Sequence, residues 1–189
     1  MADILFVSDS HFGHSGPIFK FKRADGTPLR DFASAQEMDE IMILRWNTAV
    51  RPQDKVYHLG DVTMDPARYL RLISRLNGHK RLILGNHDSG TVQEYLAAGF
   101  SKIYGCRVLD QILFTHIPVH PSALGRFKAN VHGHVHEKPS PEPVVRTKND
   151  DPGRTYLVPY INVCVEVTEY RPLTFEEVRQ RIRAASEKT

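Results

Sequence analysis

The sequence predicts an α/β layered fold, and three observations support this prediction. Short, continuous apolar runs recur along the chain, as expected for strands that are covered on both faces. Segments with helix-start signals separate several of these runs, which is the pattern of layered α/β folds. A length of 189 residues, with 41% hydrophobic and 25% charged residues, fits one globular domain with its own core. We therefore expect residues 1–189 to form a single domain.

The strands are predicted from the apolar runs themselves. Such runs are too short for helices and are rich in the residues that strands favour. They cover residues 4–7, 56–59, 81–84, 112–115, 129–131 and 160–167.

The helices are predicted from their first turns. A Ser, Thr or Asp there can accept hydrogen bonds from backbone N–H groups that have no partner inside the helix. These signals are Ser34 with Glu37, Asp65-Pro66 in a segment that closes at Asn77-Gly78, and Thr174 with Glu177.

Two stretches are predicted to be irregular. Residues 12–32 carry glycines, prolines and several basic residues, and we expect them to loop over the edge of a sheet. Residues 138–152 contain four of the twelve prolines and are predicted to form a mobile surface loop.

Charge and cysteine content limit the classes of protein to which this chain can belong. The 25 Lys and Arg residues against 22 Asp and Glu give a formal charge of +3, without a dense basic block that would indicate a nucleic-acid arm. Cys106 and Cys164 lie far apart in apolar stretches, which predicts buried free thiols in a reducing compartment. No export signal or membrane-length apolar run is present, so we expect a cytoplasmic protein that does not bind membranes.

Polar clusters directly follow five of the predicted strands. Because ligands of open α/β sheets bind beyond the carboxyl ends of the strands, these clusters are expected to converge on one site. They are Asp9-Ser10-His11, Gly60-Asp61, Gly85-Asn86-His87-Asp88, His116, and Gly133-His134-Val135-His136.

The residue types of these clusters indicate metal binding. Carboxylates, imidazoles and one amide oxygen suit divalent Mn, Fe, Co, Ni or Zn, and the lack of thiolates argues against a structural zinc site. Asp-x-His and His-x-His place two donors on the same side of an extended chain. The glycines before Asp61, Asn86 and His134 permit sharp turns and close backbone approach. With about seven donors available, two ions that share a bridging carboxylate are the natural arrangement.

The ordered set of clusters resembles the signature of the calcineurin-like metallophosphoesterase superfamily, D-x-H, G-D, G-N-H-[DE], H and G-H-x-H. The match spans residues 9–136, and the sequences around Asp9 and Asp61 are similar to those of small bacterial and phage members. The resemblance implies a four-layer αββα sandwich, with two sheets face to face and helices outside. It also implies two divalent ions, for which we favour Mn²⁺ over Fe, Zn, Ni or Co.

The resemblance further implies a role for each cluster. Asp9, His11 and His136 would hold the first ion, Asp61 would bridge, and Asn86, His116 and His134 would complete the second site. A hydroxide between the ions would attack phosphorus in line. His87 would contact the phosphoryl group and protonate the leaving group, and Asp88 would hold the ring of His87 in position.

The sequence leaves the roles of several residues open. His120 is an alternative to His116, which we prefer because it directly follows a predicted strand, and His14 either faces the site or caps a loop. Arg23 and Arg30 can grip phosphate oxygens, but the solvated alternative is favoured. Core positions are expected for His58 and His132, and a surface turn for His79.

The expected substrate is a small phosphomonoester or phosphodiester, cyclic nucleotides included. Val62-Thr63-Met64 follows Asp61 where protein Ser/Thr phosphatases of the superfamily carry Asp-Arg, which argues against that activity. A nuclease or nucleic-acid end-processing enzyme is the alternative, with residues 19–23 locally basic and aromatic but without a visible basic groove. A non-catalytic scaffold is disfavoured because every ligand position is filled. The oligomeric state stays open.

Overall fold

A computed structural model describes residues 2–148 and 151–187. Its helices are α1 (Gly16–Phe19), α2 (Ala35–Ala49), α3 (Pro66–Tyr69), α4 (Val92–Ala98) and α5 (Phe175–Ser186). Its strands are β1 (Ile4–Val7), β2 (Lys55–His58), β3 (His79–Ile83), β4 (Phe100–Tyr104), β5 (Arg107–Leu109), β6 (Ile112–Phe114), β7 (Ala129–His132), β8 (Val144–Lys148), β9 (Asp151–Val158), β10 (Tyr160–Asn162) and β11 (Leu173–Thr174). Short 3₁₀ helices span Leu70–Arg75, Pro121–Leu124 and Val165–Val167.

The strands form two main sheets. The first has the order β11-β1-β2-β3-β4, in which β1 to β4 are parallel and β11 is antiparallel to β1. The second has the order β10-β7-β6-β5, in which β10, β7 and β6 are parallel and β5 is antiparallel to β6. Strands β8 and β9 form a separate hairpin.

The two sheets pack face to face through buried aromatic and aliphatic side chains. The rings of Phe6 in β1 and Phe114 in β6 are stacked with centroids 4.3 Å apart. Val131 and Ile161 of the second sheet join the same buried cluster, as do Val178 and the half-buried Ile182 of α5. This inter-sheet core brings the ends of β1 and β2 next to the ends of β6 and β7.

Helices cover the other face of the first sheet. Leu5 and Val56 on that face belong to one buried cluster with Trp46 of α2, Ile73 and Tyr95 of α4. The outer face of the second sheet is covered by the 3₁₀ helix at 121–124 and by the hairpin, through Leu124 and Val158 against Leu113 and Tyr160. The α/β sandwich expected from the sequence is thus confirmed.

The predicted helix starts are present. Thr174 and Glu177 form a reciprocal capping box at the start of α5. Ser34 accepts a hydrogen bond from the Glu37 backbone N–H, although the Glu37 carboxylate accepts from Ala33 instead of Ser34. Asp65 caps α3, whose single turn continues as a 3₁₀ helix and ends at Arg75, before the predicted Asn77-Gly78.

Two predicted segments differ from the observed ones. Residues 144–148 and 151–152, expected to lie in a loop, belong to β8 and β9, because pairing between these strands supplies partners for their backbone groups. The three prolines before residue 144 mark where pairing begins. The loop prediction for residues 149 and 150 lies outside the described residues. The strand predicted over 160–167 ends at Asn162, whose side-chain oxygen accepts a hydrogen bond from the Cys164 N–H, and the chain then turns into a 3₁₀ helix.

Both cysteines are free, but their environments differ. Cys164 is buried, as predicted, whereas Cys106 is exposed because it lies in the short link between β4 and β5. None of the helices in the described part of the chain is long and apolar enough to cross a membrane.

Candidate metal centre

The polar clusters lie at the carboxyl ends of parallel strands of both sheets. Asp9 and His11 follow β1, Asp61 follows β2, and the Asn86-His87-Asp88 cluster follows β3. His116 follows β6, and the segment with His134 and His136 follows β7. Because the two sheets face each other, these ends meet, and the seven predicted metal ligands lie around one centre.

The possible metal ligands form two groups. In the Asp9 group (Asp9, His11 and His136) and in the Asp61 group (Asp61, His116 and His134), one donor atom per residue lies within 4.8 Å of the others. Within the Asp9 group, Oδ1 of Asp9 lies 3.7 Å from Nε2 of His11 and 4.0 Å from Nε2 of His136. Such spacings fit several donors converging on a single ion.

Asp61 lies between the two groups. Its Oδ2 is 3.6 Å from Nε2 of His11 and 3.4 Å from Nε2 of His116. Oδ1 of Asn86 is 2.9 Å from Nε2 of His116, which places the amide oxygen beside the Asp61 group. A carboxylate in this position suits the bridging role expected from the sequence.

Left-handed backbone conformations bring these donors together. Five of the nine non-glycine residues with positive φ in the described chain are predicted ligands: Asp9 (60°), His11 (46°), Asp61 (58°), His134 (71°) and His136 (54°). Such a residue costs roughly 1–2 kcal/mol in backbone strain, and such strain is concentrated at functional sites. The expectation of an extended chain at Asp-x-His and His-x-His is therefore wrong, although Asp9 and His11 still enter the same group. The chain has already left the strand and turned, so His134 and His136 enter different groups.

The glycines of the clusters permit the predicted close approach. A Cβ on Gly60, whose φ is 94°, would lie 2.5 Å from the backbone N of Gly85. A Cβ on Gly133 would overlap the side chains of Ser8 and Asp9. Only glycine lets the loop after β7 pass this close to the Asp9 carboxylate.

The buried groups around Asp9 and His11 favour a bound cation. Burial by itself raises the pKa of Asp9, but His11, His116 and His136 around it outweigh that effect and hold its pKa well below the usual range. Oδ1 of Asp9 and both ring nitrogens of His11 are buried without a hydrogen-bond partner among the described residues. Buried polar atoms are normally satisfied, so a group of orphaned donor atoms fits an ion as the missing partner.

Glu166, which no sequence pattern singled out, has a fully buried carboxylate behind the Asp9 group. Its Oε1 lies 2.9 Å from Nδ1 of His136 and 2.8 Å from Nε of Arg30. Arg30 also donates to the backbone oxygens of Asp9 (2.6 Å) and Ser10 (2.7 Å). Burial raises the pKa of Glu166, but Arg30 and His136 outweigh it and keep that pKa below the usual value. Glu166 is thus placed to orient a ligand ring.

Arg30 is neither solvated nor accessible to a phosphate. Both roles that the sequence suggested for it are therefore wrong. It is 0% exposed, because it ties the turn after β1 to Glu166, 136 residues further along the chain. No local sequence pattern predicts a pairing of residues so far apart in the chain. Arg23 does lie at the surface, where its guanidinium donates to the backbone oxygen of Leu29. Cys164, also missed, places its Sγ 3.1 Å from Oδ2 of Asp9.

Asp88 does not hold the ring of His87. Its carboxylate accepts backbone N–H groups of Asp61 (2.9 Å), Val62 (2.9 Å) and Gly85 (2.8 Å). The expected carboxylate–imidazole pair is absent among the described residues because these N–H groups, turned inwards by the Gly-Asp loop, occupy the carboxylate. Asp88 therefore shapes the loop that carries Asp61, and the exposed ring of His87 lies 5.7 Å from that of His11.

His58 and His132 are core histidines, as predicted. The Gly60 N–H points to Nδ1 of His58, so Nε2 carries the proton and donates to the Ser10 hydroxyl at 2.9 Å. His132 is buried between Gly133 and Ser140. Burial lowers the pKa of both rings to about 4, so both are neutral at neutral pH.

The three remaining histidines lie in different places. His79 is exposed at the start of β3. His120 is exposed and caps the 3₁₀ helix at 121–124 by accepting the Ser122 N–H, so it does not reach the groups and His116 does. His14 does face the site, with its ring centroid 5.8 Å from that of His11. Burial and its charged neighbours lower the pKa of His14 to about 4.

Several known proteins are similar to this chain in sequence or in fold. No protein-family model matches the chain. The uncharacterized protein MJ1445 of Methanocaldococcus jannaschii is 30% identical over 184 residues, which cover 93% of this chain and 89% of MJ1445. The chain belongs to the MJ1445 family. The Gene 66 protein of Mycobacterium phage L5 is 37% identical to it over 93 residues, 47% of this chain and 41% of the phage protein.

A solved structure shares the fold of this MJ1445 relative. The protein of unknown function AQ665 from Aquifex aeolicus matches with a TM-score of 0.66 and 24% identity, over 96% of this chain and 100% of AQ665. The nuclease MPE of Pseudomonas putida matches with a TM-score of 0.47 and 23% identity, over 70% of this chain and 61% of MPE, which is too distant for a functional argument. The comparisons therefore identify a family and a fold but no substrate.

Proposed function

We propose that this member of the MJ1445 family is a binuclear-metal-dependent phosphoesterase of the calcineurin-like superfamily. Its substrates would be small phosphomonoesters or phosphodiesters. The observation that carries the proposal is the pair of donor groups at one centre, with Oδ2 of Asp61 between them at 3.6 and 3.4 Å from the two flanking imidazoles.

The residues present fit two divalent cations. Asp9, His11 and His136 would hold one ion, Asp61 would bridge, and Asn86, His116 and His134 would hold the other. Their oxygen and nitrogen donors suit first-row divalent metals, Mn²⁺ foremost. When bound, such ions polarise phosphoryl oxygens and lower the pKa of a water molecule to near neutrality.

The protein's own groups would orient the reaction. Asp61 is fixed on both sides, because its Oδ1 accepts the His87 N–H at 2.8 Å and its own N–H is held by Asp88. The same hydrogen bond places His87 beside the site with its ring exposed to an entering substrate. We assign His87 to hydrogen bonding with the phosphoryl group and to proton donation to the leaving oxygen.

The experiment is hydrolysis by metal-depleted protein before and after addition of Mn²⁺. Chromogenic aryl phosphate and bis-aryl phosphate would report on monoesterase and diesterase activity, and elemental analysis would count the bound ions. We expect activity only after metal addition, with two ions per chain. Full activity of the metal-depleted protein would contradict the proposal, and two bound ions without hydrolysis of any ester would favour a scaffold.

A nuclease is the second candidate function, and one observation favours it. Residues 19–23 carry exposed aromatic and basic side chains, and the ring of Phe21 lies 5.9 Å from that of His14, which faces the Asp9 group. Gel shifts with single-stranded and duplex DNA at several salt concentrations would separate this candidate from a small-molecule esterase.

A further inference from the structure

The segment 19–23 exposes two aromatic rings, one of which is linked to the Asp9 group through His14. Phe19 is 61% and Phe21 50% exposed, and no other phenylalanine in the described part of the chain is exposed to a similar degree. Lys20, Lys22 and Arg23 in the same segment are exposed as well. Exposed apolar groups rimmed by charged residues are the kind of surface that marks an interaction site.

Backbone hydrogen bonds order this segment. The Phe21 N–H donates to the Gly16 oxygen at 2.9 Å, and the Phe21 oxygen accepts the Leu29 N–H at 3.0 Å. The Arg23 N–H closes the turn onto the oxygen of Thr27 at 2.9 Å. The exposed rings are therefore held by defined backbone, and a ligand that uses them pays little ordering entropy.

Phe21 is connected to the metal centre through one residue. Its ring centroid lies 5.9 Å from that of His14, and His14 lies 5.8 Å from His11 of the Asp9 group. Gly16 makes this arrangement possible, since a Cβ there would lie 2.5 Å from Nε2 of His14 and 3.2 Å from the Phe21 ring. A continuous row of rings thus runs from the Asp9 group to the solvent.

We propose that Phe21 and the lysines beside it bind the nucleobase end of a nucleotide phosphoester whose phosphate lies at the metal centre. This inference rests on the proposed function and adds the substrate class to it. A base offers a flat π surface for the exposed ring, and the cations at positions 20 and 22 complement the negative charge of the nucleotide. A purely apolar partner would leave these cations without a counterpart.

The first test compares two ligands that differ only by the base. Adenosine 5′-monophosphate contains the sugar phosphate of ribose 5-phosphate together with adenine. The F21W variant keeps a stacking ring and adds a fluorophore, while the single native tryptophan, Trp46, is 4% exposed and shielded from ligands. We expect the added fluorescence to be quenched by the nucleotide and not by ribose 5-phosphate. Equal quenching by both, or by neither, would overturn the proposal.

The second test measures hydrolysis in the F21A variant. Loss of one base–aromatic stack is expected to lower kcat/KM for a nucleotide ester about tenfold, with the matching base-free ester unchanged. Leu44→Ala, which truncates another exposed apolar side chain, is the control for the ring. An equal loss for both esters would show that Phe21 has no role in base recognition.

The two proposals fail in different ways. Hydrolysis of esters without any base dependence would leave the phosphoesterase standing and remove the nucleobase site. Base-dependent quenching without hydrolysis of any ester would support the nucleobase site and contradict the phosphoesterase activity. Binding of a mononucleotide and of an oligothymidylate of eight residues would show whether the bound base belongs to a free nucleotide or to a nucleic acid. Tighter, salt-sensitive binding of the oligothymidylate identifies single-stranded nucleic acid as the ligand.

Discussion

Oε1 of Glu166 accepts a hydrogen bond from Nδ1 of His136 across 2.9 Å. Because an ionised carboxylate only accepts, Nδ1 carries a proton, which leaves Nε2, 4.0 Å from Oδ1 of Asp9, as the ring nitrogen that can bind an ion. Arg30 binds the same carboxylate and the backbone of Asp9, so one buried ion pair sets the position of two ligands of the Asp9 group. Carboxylates behind a ligating histidine typically account for 10- to 100-fold in metal affinity.

Glu166→Gln is expected to weaken metal binding at the Asp9 group about tenfold or more, because the charge that orients His136 is lost. The Asp61 group should keep its affinity. Calorimetric Mn²⁺ titration would show one weakened and one unchanged site, and circular dichroism would verify folding. Glu142→Gln, at an exposed carboxylate, is the control. Equal weakening of both sites, or of neither, would contradict the role of Glu166.

His87→Ala is expected to lower kcat about 100-fold or more while the content of bound metal stays near that of the unmodified protein. The physical reason is that His87 is assigned to the substrate and not to the ions. Steady-state kinetics and elemental analysis measure the two quantities separately. His79→Ala, at an exposed histidine far along β3 from its carboxyl end, is the matched control. Loss of metal from the His87 variant would refute the assignment.

Gly133→Ala is expected to destabilise the protein by about 1–3 kcal/mol, since the added methyl overlaps Ser8 and the Asp9 carboxylate. Displacement of Asp9 should also lower metal content at its group. Urea unfolding and elemental analysis are the measurements. Gly105→Ala is the control, because no atom lies within 4 Å of a Cβ at that position. Two variants of equal stability would show that the loop after β7 is not held this closely.

Asp39→Asn is expected to stabilise the protein at neutral pH. Burial raises the pKa of Asp39 from 3.8 to about 6, while its Oδ1 accepts the Gly13 N–H at 2.9 Å. The folded state thus binds the proton more tightly than the unfolded state, and stability falls as the pH rises from about 4 to about 6. Asparagine keeps the acceptor and removes the charge, which should add about 1–2 kcal/mol at pH 7.5 and nothing at pH 4.

Urea unfolding of the Asp39→Asn variant at these two pH values measures the difference. Asp31→Asn, at an exposed carboxylate, should show no such pH-dependent gain. A variant less stable than the unmodified protein at pH 7.5 would mean that the charge of Asp39 is compensated within the fold.

Much of the architecture follows from local sequence. The strand predicted over residues 4–7 is observed with those bounds, and the other runs lie within one or two residues of β2, β3, β6 and β7. The start of α4 also carried a readable signal, the capping box of Thr91 and Glu94, which the sequence analysis passed over. Such features are visible because apolar periodicity and helix caps act over a few residues.

The sequence by itself determined which strand ends carry polar clusters and which residue types stand there. Parallel strands direct their carboxyl ends to one edge, so the order of the clusters was enough to group them. Only the tertiary structure decided that Arg30 and Glu166 pair, that Asp88 serves the backbone of the Asp61 loop, and that His134 and His136 separate. These features depend on contacts between distant segments and on left-handed turns at non-glycine residues, which no local pattern specifies.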